Sequence, residues 1–247
     1  LGYWIGGKSA DKDANINKLA NILLYVALAT SVIPLLETFV VKLVAGIIPN
    51  LIIAAILCAI VVFSVPSFIL AMISPYAVKI KSQEEKEIGS LSGRISSLST
   101  IGSIFGTFLM GFVLIPNIGV SNINISVTII LFVMSLLARE KQNKKMILKN
   151  IVAICIMIIL IILGKVAFKI NNPNIVLDTD SQYSRIWVTN VKNQKGNYKT
   201  LQVDMGLESY LDTNSNEMGA EYLKFYDLFD YYNKNAKNTL LIGGAAY

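Results

Sequence analysis

The chain has 247 residues, of which 54% are hydrophobic and only 15% charged, with a net charge of +6; an ordinary soluble domain carries ~25% charged residues. Residues 1–169 hold 15 Lys and Arg against 7 Asp and Glu, and residues 170–247 hold 7 against 9. The basic balance therefore sits in loops between apolar runs and the polar C-terminal part is slightly acidic, which argues against a nucleic-acid-binding face. Histidine is absent, which removes Ser-His-Asp and Cys-His mechanisms within these residues. Cys58 and Cys155 both lie inside apolar runs and read as small core residues, not as a disulfide or a metal pair.

In chain order, Leu1-Gly2-Tyr3-Trp4-Ile5 reads as the end of a helix already under way. A bilayer span needs ~20 mostly apolar residues, and five stretches qualify, at about residues 19–41, 47–73, 97–115, 120–138 and 151–168. The first contains Pro34 and Glu37; a carboxylate in a span is a functional candidate, but this one lies near the helix end, within reach of the interface. The second contains Pro66 and has a re-entrant loop as its alternative. The third is rich in small residues, Gly102, Ser103, Gly106 and Gly111, which let helices approach closely in lipid. Residues 74–93 form a polar interruption whose Lys81-Ser82-Gln83-Glu84-Glu85-Lys86-Glu87 cluster reads as a solvated interfacial helix, with gating or docking as the alternative.

Loop charge orients the spans. Lys8, Lys12 and Lys18, then Lys79, Lys81, Lys86 and Arg94, then Arg139, Lys141, Lys144, Lys145 and Lys149 lie in three alternate loops, and the loops between them, near residues 46–50 and 116–124, carry no Lys or Arg. The positive-inside rule makes the three basic loops cytoplasmic, and parity then brings the residues after the fifth span out on the opposite face.

From about Asn171-Asn172-Pro173 onward the rhythm changes to that of a soluble segment. Residues 174–178 form a short strand candidate; 184–191 and 198–204 alternate polar and apolar side chains as half-buried strands do, and the turn-rich 193–197 joins the latter two as a hairpin. Residues 217–233 carry Tyr222, Phe225, Tyr226, Phe229 and Tyr232 at helical spacing, and 239–242 is a short apolar strand running into Gly243 and Gly244. A buried strand ending in glycines lets backbone approach a nucleotide closely; a tight turn explains the same residues. The fold expected is mainly α: a multi-span transmembrane helical bundle (residues 1–170), then a small β-hairpin domain (171–212), then the first strand of a Rossmann-like, methyltransferase-type α/β domain (213–247). The opening on Leu1 and the stop on Tyr247 just past that strand read as a fragment cut at both ends.

The order hairpin, aromatic helix, strand-Gly-Gly, carried by Asp180-Ser181-Gln182-Tyr183-Ser184-Arg185-Ile186-Trp187-Val188, Leu201-Gln202-Val203-Asp204-Met205-Gly206, Glu221-Tyr222 and Leu241-Ile242-Gly243-Gly244-Ala245-Ala246-Tyr247, resembles the membrane-fused spermidine synthase (polyamine aminopropyltransferase) family. Gly2-Tyr3-Trp4-Ile5-Gly6-Gly7-Lys8-Ser9-Ala10-Asp11-Lys12 is similar to the first cytoplasmic loop of its transmembrane region. The resemblance implies aminopropyl transfer from decarboxylated S-adenosylmethionine to an amine such as putrescine. Decarboxylated S-adenosylmethionine or S-adenosylmethionine would be a co-substrate, and no cofactor would be tightly bound. Gly243, Gly244 and Ala245 would then border the nucleoside, and Gln182, Tyr183, Asp204 and Tyr222 would contact substrate. The catalytic acid, by family order, would follow Tyr247, so that these residues alone would be inactive. The chain departs from the family where Ala245-Ala246-Tyr247 replaces a third Gly and an acid, where Ser184 follows Tyr183 in place of Gln, and in lacking His beside Tyr222. The partners expected are the lipid bilayer and a small amine, with no nucleic acid and no metal; a homo-oligomer is compatible with the sequence, and the location expected is the cell membrane, multi-pass. The alternative is a membrane transporter or scaffold whose soluble part binds a ligand without catalysis.

Overall fold

The computed structural model describes residues 1–83, 87–140, 143–181, 184–193, 196–204, 206–215, 225, 227–232, 234 and 238. The chain divides into two compact units, Leu1–Asn171 and Asn172–Tyr247.

The regular elements described in the first unit are all helices. Among the described residues five stretches are long and apolar enough to cross a bilayer. They are α2 (Ile16–Ile47); α3 (Leu51–Ala71) running into α4 (Ile73–Lys81); α5 (Ile88–Leu109), continued by a π-helical turn at Met110–Leu114 and by α6 (Ile115–Ile118); α7 (Val120–Leu137); and α8 (Lys144–Asn171). Pro66 lies inside the 21 residues of α3 without breaking it, so the second span is a through-going helix here and not a re-entrant loop. Residues 1–5 were expected to end a helix and those after them to form a loop; instead the helix, α1 (Gly2–Lys12), runs on through the expected loop. The reason is a small-residue face: Gly2, Gly6 and Ala10, four apart, are its buried residues, and α1 packs on α3 and α4. A Cβ on Gly2 would collide with the Phe68 carbonyl, and one on Gly6 would lie 2.7 Å from Met72 Cα.

Asparagines start two of the spans. Asn15 Oδ1 accepts from the Asn17 N–H at 2.8 Å, and Asn50 Oδ1 accepts from the N–H groups of Ile52 and Ile53 at 3.0 and 3.1 Å. Each satisfies N-terminal donors that the helix itself leaves open. The connection Ile48-Pro49-Asn50 is short enough to make α2 and α3 neighbours, and α2 also packs on α7 and α8. Leu24 and Ala27 of α2 join Ala153 and Met157 of α8 in the buried core, with Leu131 and Phe132 of α7 against them. Elsewhere large apolar side chains face outward, as at Leu98, Phe112 and Leu137, which are 72–75% exposed; such a surface is compatible with lipid contact.

Pro34 stands in the middle of α2. Lacking an N–H, it leaves the carbonyl of Thr30, four residues back, without its helical donor. Asn124 of α7 supplies one: its Nδ2 donates to that carbonyl at 3.2 Å. Next to this bond Thr128 Oγ1 lies 3.0 Å from Thr30 Oγ1 and 2.9 Å from the Asn124 carbonyl, so its single proton serves either. On the other side of the proline, α8 comes close at Gly164, where a Cβ would sit 2.9 Å from Pro34 Cβ and 3.1 Å from the Leu35 nitrogen. The glycines that permit close approach are thus Gly2, Gly6 and Gly164. Those of the third span, Gly102, Gly106 and Gly111, face open space, so these three glycines make no close helix contact among the described residues.

The second unit contains a four-stranded antiparallel meander in the order β1 (Ile175–Asp180), β2 (Arg185–Asn193), β3 (Gly196–Val203), β4 (Gly206–Asp212). The expected hairpin is β2–β3, paired from Asn193 with Gly196 to Ile186 with Val203. The fourth strand was not expected, because its pattern is inverted: polar Ser209 is its buried residue and Leu207 is exposed. The helix expected over 217–233 is described only as α9 (Asp227–Tyr232); the strand expected at 239–242 lies outside the described residues.

Two outcomes follow for stability. Asn124→Leu should cost about 1 kcal/mol in thermal unfolding of the detergent-solubilised protein. It should cost much less in a Pro34→Ala background, where residue 34 regains the N–H for Thr30; equal costs in both backgrounds would refute the compensation. Gly164→Val should lower stability by about 1–3 kcal/mol through overpacking, whereas Gly106→Ala should leave it unchanged or slightly raise it.

Candidate functional site

Of the residues expected to contact substrate, Asp204 is described; Gln182, Tyr183, Tyr222, Gly243, Gly244 and Ala245 lie outside the described residues. Asp204 follows β3 at the reversal into β4, in the left-handed region at φ 52°. Aspartate is among the few non-glycine residues that tolerate this region. Its N–H donates to the Arg185 carbonyl at 2.8 Å, and its Oδ1 accepts from the Arg185 N–H at 2.9 Å. The residue thus extends the β2–β3 ladder by side chain and backbone at once.

Around it several polar side chains of the sheet are paired, and one, the Trp187 indole N–H, is not. The Arg185 guanidinium makes a two-pronged pair with Asp178, Nε to Oδ1 and Nη2 to Oδ2, both 2.7 Å, and stacks 5.0 Å from the Trp187 ring centre. The Trp187 Nε1 is buried with no hydrogen-bond partner. At the β1–β2 turn, Ser181 and Ser184 close on each other: the Ser181 N–H donates to the Ser184 carbonyl at 2.8 Å, and Ser181 Oγ accepts from the Ser184 N–H at 3.1 Å.

The first unit holds a cavity of about 370 Å³. One face of α2 provides Lys18, Asn21, Ile22 and Tyr25, at the spacing that aligns side chains along a helix; Met72 and the hydrogen-bonded hydroxyls of Ser9 and Tyr76, 2.7 Å apart, line the other side. Asn21 and Tyr25 also meet two cations from other helices. Arg139 Nη2 and Lys149 Nζ both donate to Asn21 Oδ1 at 3.1 Å, and Lys149 Nζ lies 3.3 Å from Tyr25 Oη and 4.9 Å from its ring centre. Sharing one oxygen holds the two cations within about 6 Å, where they repel by about 1–3 kcal/mol.

Arg139 is the unusual member. It follows α7 in a basic loop, yet it is only 8% exposed, and its Nε and Nη1 are buried without a hydrogen-bond acceptor. Neither it nor Lys149 makes an ion pair among the described residues. The nearby carboxylates on α1 and its turn are engaged elsewhere, Asp13 with Lys18 at 2.6 Å and Asp11 with Lys79 at 2.8 Å. Among the described residues no group of three or more Asp, Glu or Cys is placed to hold a metal ion. Loop charge alone placed Arg139 in solvent. The sequence signal for this cluster is Asn21 and Tyr25, polar groups four apart on one face of an otherwise apolar span.

Asp204 has two separable roles. Asp204→Asn keeps the acceptor and the tolerance for positive φ, and should leave stability within about 0.5 kcal/mol; Asp204→Ala removes both and should cost about 1–2 kcal/mol, with faster hydrogen exchange at the Arg185 amide. A loss of amine binding in Asp204→Asn at unchanged stability would assign the carboxylate to substrate.

No protein-family model, no curated protein and no solved structure matches this chain.

Proposed function

We propose that the protein is a multi-pass membrane protein of the aminopropyltransferase type, its C-terminal part forming a Rossmann-like nucleoside-binding domain. It would move an aminopropyl group from decarboxylated S-adenosylmethionine to an amine such as putrescine. The supporting observation is the order of elements. Five helices of spanning length precede a small antiparallel sheet, and the sequence after it reads aromatic helix, apolar strand, Gly243-Gly244. In this chemistry a neutral amine nitrogen attacks the carbon next to the sulfonium. The C–S bond breaks with its electrons returning to sulfur, and a carboxylate takes the proton that the amine loses. The glycines would let backbone approach the nucleoside, and Gln182, Tyr183, Asp204 and Tyr222 would face the amine.

The second reading, a transporter or scaffold whose soluble part only binds, draws on two observations. The first unit has a cavity with a mixed polar and apolar lining, and its Asn21 is hydrogen-bonded to buried Arg139. The three basic loops, if cytoplasmic, also put the sheet on the face opposite a cytosolic adenosyl donor.

Titration calorimetry of the full-length protein in detergent with decarboxylated and with ordinary S-adenosylmethionine should give saturable heat with the former. Silence with both would overturn the transferase reading and leave the second. The side is fixed separately, by Asn193→Cys in a background where Cys58 and Cys155 are replaced by Ala. The loop charges lead to labelling by a membrane-impermeant thiol reagent in intact cells; protection would place the sheet with the cytosolic donor.

A further inference from the structure

We infer that the membrane unit binds a phosphate group where Arg139 and Lys149 converge on Asn21. The inference is independent of the transferase reading.

Burying a charge without a partner is strongly unfavourable, and proteins pair such charges or leave them to a ligand. Arg139 is more than nine-tenths buried and meets one neutral oxygen, Asn21 Oδ1. That oxygen already serves Lys149, and the Nε and Nη1 of Arg139 are buried with nothing to donate to. Glu140, adjacent in sequence, is exposed, and Asp11 and Asp13 pair with Lys79 and Lys18. Two cations held together with no carboxylate between them among the described residues therefore form half of a site, and the missing half is an anion.

The donor set selects the kind of anion. Guanidinium N–H groups on two nitrogens, an ammonium and the Tyr25 hydroxyl, 3.3 Å from that ammonium, approach from different helices. A phosphate presents several charged oxygens in different directions and meets such a set, and arginine is the side chain best matched to it. The cavity begins at the same residues, Asn21 and Tyr25, and continues along Ile22 and Met72, which gives the remainder of a phosphate-bearing molecule a partly apolar wall. Position agrees. Arg139 follows the end of α7, Lys149 is near the start of α8 and Asn21 near the start of α2, all at one end of the spans, at the level where basic residues meet phospholipid headgroups. A lipid headgroup and a soluble phosphorylated molecule share this chemistry, and the experiment separates them.

The purified protein is melted in nanodiscs of phosphatidylcholine with and without phosphatidylglycerol, and in detergent with inorganic phosphate against chloride at equal ionic strength. A rise in melting temperature of about 3–5 °C is expected with at least one probe. A rise with phosphatidylglycerol alone identifies a lipid headgroup, and one with inorganic phosphate identifies a soluble ligand; either supports the site. Arg139→Gln should abolish the rise and Lys149→Gln should reduce it by half or more. Lys144→Gln/Lys145→Gln, which removes exposed charge from the start of α8, should keep it. The inference is overturned if neither probe raises the melting temperature or if Arg139→Gln retains the full rise. It is also overturned if the Lys144/Lys145 variant loses the rise as completely, which would mean diffuse surface attraction. Should Arg139→Gln fail to fold, Lys149→Gln decides, and an unchanged rise in that variant overturns the inference.

Discussion

A helix in hydrocarbon has no water to turn to, so every backbone group must find its partner inside the protein. The long helices of the first unit break this rule where a proline interrupts them, and at Pro34 of α2 the break is repaired by a neighbouring helix. The carbonyl that the proline orphans, on Thr30, is met by Asn124. That bond brings α7 against α2 at a fixed register, and Thr128 and Thr30 extend it by their hydroxyls. The same proline sets the position of α8, since its ring faces the bare backbone of Gly164. One proline thus contacts two further helices, α7 through the carbonyl it frees and α8 through its ring. The apolar core of Leu24, Ala27, Ala153 and Met157 fills the space that this arrangement leaves.

From that middle level toward the end of the bundle that carries the basic loops, the contacts become polar. Ser135 of α7 donates to the Ala20 carbonyl of α2 at 2.7 Å, a bond between neutral groups that are both satisfied. Arg139, one turn further along the same face, has no such completion. The contrast between a closed hydroxyl bond and an open guanidinium four residues later distinguishes a structural contact from a binding position. The α1 helix borders this end as well, held by its glycine face and by the Ser9–Tyr76 hydroxyl pair, and it forms one wall of the cavity.

The sheet of the second unit follows different rules. Its reversals are held by side chains acting on nearby backbone, Ser181 at one turn and Asp204 at another. Its surface is knit by cross-strand pairs such as Arg185 with Asp178 and Tyr198 with Tyr210. Such pairs are the unit of sheet stabilisation.

Long runs of apolar residues determined the five helices of spanning length, because crossing a bilayer demands length and composition and nothing subtler. Alternation determined β2 and β3 in the same direct way. The fourth strand was not legible, since Ser209 rather than an apolar residue is buried there. The continuation of α1 past Ile5 was hidden by charges that sit on its exposed side, while its buried side is made of Gly2, Gly6 and Ala10, which carry little hydrophobic signal. For the candidate site, the sequence offered glycines and polar residues from the C-terminal part, of which Asp204 stands in a hairpin turn. It gave no weight to Arg139, because a basic residue after a span reads as a topology marker. Only the tertiary structure decided which small residues face a neighbour and which loop cation is buried. Both depend on what a different helix places opposite them, and a linear pattern records the side chain a residue has but not the one it meets.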